Sequence, residues 1–162
     1  MSKRLLLSVL TLLATSPSVL AEAWSTYVDP EHEFRVQLPV GSFEMSTNSN
    51  DQLKLYEIGG DAVITFFSRE NAEHLSPSAF AEVLADASQI KDITYRSGGR
   101  TWFVMSGHYK ARENEPRLIY YAKFMFSSDL GRVAGFEISY SVEEKVRMDR
   151  VVDRIEATFR PL

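Results

Sequence analysis

Residues 118–126, Leu-Ile-Tyr-Tyr-Ala-Lys-Phe-Met-Phe, carry apolar side chains on both parities of an extended chain. Leu118, Tyr120, Ala122, Phe124 and Phe126 make one face, while Ile119, Tyr121 and Met125 make the other apolar too. Side chains alternate across a strand, so this one is expected to be covered on both sides. A second long strand follows at 133–141, joined by the turn Ser128-Asp129-Leu130-Gly131. Pairing with residue numbers that sum to 260 around the Asp129 turn predicts Phe124 opposite Phe136 and Tyr120 opposite Tyr140. Lys123 then faces Glu137 across the strands as an opposite-charge pair.

The remaining pattern is mostly short strands. Runs at 24–28 and 34–38 flank Asp29-Pro30, a turn signal, and Pro39 and Gly41 end the second. A polar loop occupies 46–51. Runs at 53–58 and 62–67 flank Gly59-Gly60-Asp61, and runs at 92–97 and 100–109 flank Gly98-Gly99, both as hairpins. Two helices interrupt them. Ser76 caps the first, Pro77 suits its first position, and Phe80, Val83, Leu84 and Ala87 form a stripe. The last helix opens with Ser141 and Glu144 in capping-box spacing. Its expected buried stripe is Val142, Val146, Val152, Ile155 and Phe159; Glu143, Lys145, Arg147, Arg150, Asp153 and Arg154 form its solvated side. Hairpins with two helices predict an α+β fold, a largely antiparallel sheet of about six to eight strands flanked by helices.

Residues 1–21 stand apart from this pattern. Lys3 and Arg4 precede an apolar run from Leu5 to Leu13, and Val19-Leu20-Ala21 offers small residues where a signal peptidase accepts them; Ala23 offers a second site. The run is shorter than the roughly 20 residues that span a bilayer, and Pro17 breaks it. The expectation is a cleaved Sec signal over 1–21 (or 1–23), a single domain over 22–162, and no membrane span. Removing 21 of 162 residues leaves 141, enough for a core that needs no staple. The absence of cysteine excludes thiol catalysis, thiolate metal sites and a lipoprotein anchor, and suits a bacterial periplasm. Losing Lys3 and Arg4 takes the formal charge from −4 to −6, which disfavours nucleic acid and fits a basic protein partner, such as an envelope toxin held by an inhibitor.

Three constellations carry candidate chemistry. Ser106 and His108 share one face of a strand, but no Gly-x-Ser-x-Gly elbow surrounds the serine, and a triad also needs an orienting carboxylate. Asp29, Glu31, His32 and Glu33 cluster without metal-ligand spacing, and His74 is isolated. The aromatics Tyr95, Trp102, Phe103, Tyr109, Tyr120, Tyr121, Phe124 and Phe126 are expected to be sheet core, with one or two tyrosines on a rim. Loops on a rigid sheet are where partners tend to dock. The charged connection 110–117 is therefore the expected partner surface, with Tyr109, Lys110, Arg112 and Arg117 as its contacts. No catalytic residue, metal ligand or cofactor site is assigned.

Several segments resemble PsbP-like domains. Trp24-Ser25-Thr26-Tyr27 followed by Phe34-Arg35-Val36-Gln37-Leu38-Pro39 resembles their opening hairpin. Ile93-Thr94-Tyr95, Gly98-Gly99 and Trp102-Phe103-Val104-Met105-Ser106-Gly107 resemble secreted proteobacterial members more closely. The ending, Phe136-Glu137-Ile138-Ser139-Tyr140 and a helix with Asp149, Val151-Val152, Arg154-Ile155 and Phe159, is similar as well. Ser141 after the tyrosine and Thr158 before Phe159 depart from the proline and serine usual there. The resemblance implies an α/β sandwich and action by protein–protein contact, as in a photosystem II subunit, a Ran-binding import factor and bacterial envelope proteins. It supplies no catalytic motif. The sequence thus reads as a non-enzymatic periplasmic binding or envelope-accessory protein whose partner is another envelope or secreted protein. An envelope hydrolase with a polar site and a small-ligand carrier are its alternatives.

Overall fold

Two strands with apolar residues on both faces lie inside a seven-stranded antiparallel sheet, each face carrying its own core. The computed structural model describes residues 23–31, 33–46, 52–87, 89–111 and 113–162. The expected leader and the cleavage site after Ala21 lie outside the described residues, as do His32, Arg112 and all but the first residue of the expected 46–51 loop.

The elements in chain order are β1 (Trp24–Asp29), β2 (Phe34–Pro39), β3 (Phe43–Ser46), β4 (Gln52–Glu57), β5 (Val63–Glu70), α1 (Pro77–Ala85), β6 (Ile90–Gly98) and β7 (Trp102–Tyr109). They continue with β8 (Leu118–Phe126), β9 (Arg132–Ser141), α2 (Lys145–Thr158) and β10 (Arg160–Pro161). The large sheet runs β3-β4-β5-β9-β8-β7-β6, and a small sheet runs β1-β2-β10. This is the expected α+β class; the short strands β3 and β10 were not foreseen.

On one face, β2 and α2 close over Phe66, Phe136 and Ile138. There Phe159 stacks against Phe66 at 6.0 Å and meets Phe136 edge-on at 5.3 Å. On the other face, Phe80 of α1 sits over Phe103, Phe124 and Phe126, with Phe103 and Phe124 stacked at 4.6 Å.

The β8–β9 register differs from the expected one by a residue. Phe124 faces Gly135, Lys123 faces Phe136, and Ala122 faces Glu137. A four-residue loop sets this, closed by Ser127 N–H donating to Arg132 O at 3.0 Å, with Leu130 in the left-handed region. Gly135 is needed where it stands: a Cβ there lies 2.6 Å from Lys123 O and 2.8 Å from the Phe67 ring. Phe136, Ile138 and Tyr140 consequently join the α2-side core, and Lys123 and Glu137 are not partners.

Both helix stripes also need correction. Ser76 Oγ accepts from Ala79 N–H at 3.2 Å as expected, but the buried residues of α1 are Pro77, Phe80 and Ala81. Val83 is 63% exposed, and Ala87 lies past the end of this nine-residue helix. Ser141 caps a single 3-10 turn, Val142–Glu144, by accepting from Glu143 N–H, so α2 starts only at Lys145. Its buried stripe is Met148, Val151, Val152 and Ile155, continued by Phe159. Val146 is 77% exposed because it precedes Val152 by six residues, roughly 120° around the helix. No helix among the described residues is long and apolar enough to cross a membrane.

Candidate functional site

α2 packs on β2, β8 and β9 and leaves the neighbouring face of the outer hairpin, β6–β7, beside an open groove of about 430 Å³. Tyr95, Ser106, His108, Tyr121, Asp149 and Asp153 are among its lining residues. Ser106 and His108 face it because they alternate with Met105 and Tyr109, which belong to the opposite core.

β6 reaches this face through two irregularities. Ile90 pairs with Tyr109 but Asp92 with His108; Ile93 pairs with Gly107 but Tyr95 with Ser106. Each shift inserts one residue, as a bulge does, and redirects the side chains that follow. Ile90 and Ile93 remain on the α1-side core, while Asp92 and Tyr95 join His108 and Ser106. Gly107 lies between the two shifts, where a Cβ would come within 2.0 Å of Asp92 O.

The Asp92 carboxylate accepts from His108 backbone N–H at 3.1 Å and from its ring Nδ1 at 2.8 Å. The hydrogen bonds from His108 hold the Asp92 carboxyl below the usual carboxylate range. In the neutral imidazole, donation from Nδ1 leaves Nε2 as an acceptor. The structure thus supplies the orienting carboxylate that the Ser106–His108 pair lacked in sequence, yet no hydrogen bond joins Ser106 to His108 among the described residues. Asp92 was not legible as a site residue, since the shift between Tyr95 and Ile93 turns it onto the face opposite to the one simple alternation back from Gly98-Gly99 gives.

The floor is held by internal pairs. Tyr121 O–H donates to Glu156 at 2.5 Å, and Lys123 Nζ lies 3.0 Å from the same carboxylate. Burial, then that carboxylate, push the Tyr121 phenol up. Tyr140 is pushed up to about 12 by burial and then by Asp149, to which it donates at 3.4 Å. Asp149 also takes Lys145 at 2.7 Å. Asp153 has no ion pair or hydrogen-bond partner among the described residues.

The other expected site residues are dispersed. Tyr109 donates to the half-buried Glu137 and packs against Tyr120 at 5.1 Å, so its hydroxyl serves the fold. Burial, then Glu137, raise its pKa; burial also pushes the Glu137 carboxyl up. Lys110 and Arg117 are exposed at the two ends of the 110–117 connection. Lys110 N–H donates to Gln89 O, and Arg117 O accepts from Val142 N–H. Tyr109, Lys110, Pro116 and Leu118 line a smaller recess of about 220 Å³. Near the first turn, Asp29 is buried and caps Glu31 N–H at 3.0 Å, while Glu33 pairs with Arg132 at 2.9 Å. His74 Nδ1 bonds Asp129 O at 3.1 Å. No group of three or more potential metal ligands exists among the described residues. Tyr95, 55% exposed, and Trp102, 37% exposed, are the rim aromatics.

No family model matches this sequence, and no curated protein matches it. Solved structures do. Cyanobacterial PsbP from Synechocystis sp. PCC 6803 superposes with a TM-score of 0.61 at 12% identity, over 93% of this chain and 99% of that one. The Ran-binding protein Mog1p of Saccharomyces cerevisiae gives a TM-score of 0.61 at 9% identity, over 87% of this chain and 96% of that one. A Bacteroides thetaiotaomicron VPI-5482 protein gives 0.57 at 9% identity, over 85% of this chain and 48% of its own. The chain therefore has the α+β sandwich fold shared by PsbP and Mog1, as its segments had suggested.

Proposed function

We propose that this protein is a non-enzymatic, extracytoplasmic domain that works by holding another envelope or secreted protein. The observation that carries the reading is the open face of the β6–β7 hairpin: a groove bordered by α2, with exposed Tyr95 rising from a rigid sheet. Exposed aromatics on a fixed scaffold supply large contact area at little conformational cost. The connection 110–117 follows the same hairpin, and exposed Lys110 and Arg117 at its two ends support it as a second contact surface, beside the recess that Tyr109 lines. The fold is shared with a protein described as Ran-binding, which agrees with a partner-holding role. The basic, apolar, small-residue pattern over 1–21 supports export by a Sec signal, and the charge of the remaining chain favours a partner with basic character.

The Asp92–His108 pair supports a second reading, a hydrolase using Ser106 as nucleophile. Crosslinking capture from the native envelope separates the two. The binding reading expects a discrete partner recovered by the parent and still recovered, at reduced yield, by Ser106→Ala and His108→Ala, whose side chains line the groove. A folded Ser106→Ala that still captures the partner but loses biological function would instead establish the hydrolase.

A further inference from the structure

We infer that the groove between α2 and β6–β7 is a socket for an arginine side chain presented by the partner protein; this rests on the partner-holding reading. Lys145 neutralises Asp149, and Lys123 neutralises Glu156, but Asp153 stands on the groove wall with no cation of its own. Across from it, His108 donates from Nδ1 to Asp92, so the neutral imidazole offers Nε2 as an acceptor, and the Ser106 hydroxyl adds another. A guanidinium is a planar fork of five donors and no acceptor, which matches a lining rich in acceptors and one free carboxylate. Tyr95, exposed and on the same wall as Ser106, offers a ring face for the guanidinium to stack on. The molecule already shows this contact elsewhere: Arg154 lies 4.7 Å over the Trp24 ring. For an anionic side chain, the one amine among the described lining residues, Lys145, is already paired with Asp149.

The test is a chemical-shift titration of the isotope-labelled protein with three peptides: acetyl-Gly-Arg-Gly-amide and its lysine and citrulline counterparts. Citrulline keeps the shape of arginine and loses its charge. The inference predicts shifts confined to Tyr95, Ser106, His108 and Asp153 with the arginine peptide, weaker ones with lysine and none with citrulline. Asp153→Asn and Tyr95→Ala should each weaken arginine binding by about threefold to tenfold. Glu144→Gln, on the 3-10 turn before α2, should leave it unchanged. Shifts scattered over the acidic surface, equal binding of citrulline or lysine, or no effect of Asp153→Asn would overturn it. Failure here with an envelope partner still captured removes the socket alone. Arginine binding with no partner captured removes the partner-holding reading and leaves the socket.

Discussion

Lys123 and Glu137 stand on opposite faces of one sheet, each with its own partner. Lys123 reaches down to Glu156 on α2 at 3.0 Å, whereas Glu137 accepts the Tyr109 hydroxyl on the side of α1. Two polar knots therefore flank the β8–β9 pair, one per core, and each fixes a side chain near the candidate surface.

The α2-side knot should be costly to open. Glu156→Ala leaves the largely buried Lys123 amine and the Tyr121 hydroxyl unpaired, with an expected loss of about 1–3 kcal/mol in urea unfolding. Asp149→Ala, which breaks an exposed i,i+4 pair with Lys145, should cost no more than about 0.5 kcal/mol from that pair.

The α1-side knot should give the protein a pH dependence. Burial raises the folded-state pKa of Glu137, so between the unfolded and folded values the native state holds more protons. Stability then falls as pH rises through that interval. Glu137→Gln keeps an acceptor for Tyr109 and removes the titration. It should be at least as stable as the parent at pH 7 and should lose this part of the slope in unfolding curves taken from pH 4 to 8. Glu137→Ala, which orphans the Tyr109 hydroxyl, should be destabilised by about 1–3 kcal/mol.

Gly107 should tolerate no side chain. Its Cβ would meet Asp92 O at 2.0 Å, so Gly107→Ala must displace β6 and with it the Asp92–His108 contact. A loss of about 3 kcal/mol and an altered His108 ring environment by NMR are expected.

The buried stripe of α2 gives a fourth prediction. Ile155→Ala should cost about 2–5 kcal/mol and Phe159→Ala about 3–5 kcal/mol in chemical unfolding. Val146→Ser, on the exposed side, should stay within about 0.5 kcal/mol.

The sequence was legible where local chemistry decides structure. The two-sided apolar pattern of 118–126 announced coverage of both faces, and Ser76 with Pro77 marked the start of α1. It was not legible where a single residue of phase matters. The β8–β9 register turned on whether the loop held an odd or even count, and Leu130 adopts a left-handed conformation that its side chain does not advertise. Val142 and Val146 made a plausible helical pair, but the 3-10 turn and the six-residue step to Val152 put Val146 in solvent. Tyr95 was visible as an aromatic and Ser106 with His108 as a pair. Asp92 joined them only through the shift in β6 between Ile93 and Tyr95, which leaves no mark in composition or periodicity.

The most direct test of the partner-holding account places a photoreactive amino acid at position 95 and, separately, at position 56, then irradiates cells carrying each variant. Tyr56 is comparably exposed, at 47%, but lies on β4 at the far side of the sheet. The account predicts a discrete covalent adduct to one protein from position 95 and none from position 56. Adducts of equal yield from both positions, or none from position 95 in a folded and exported protein, would contradict it.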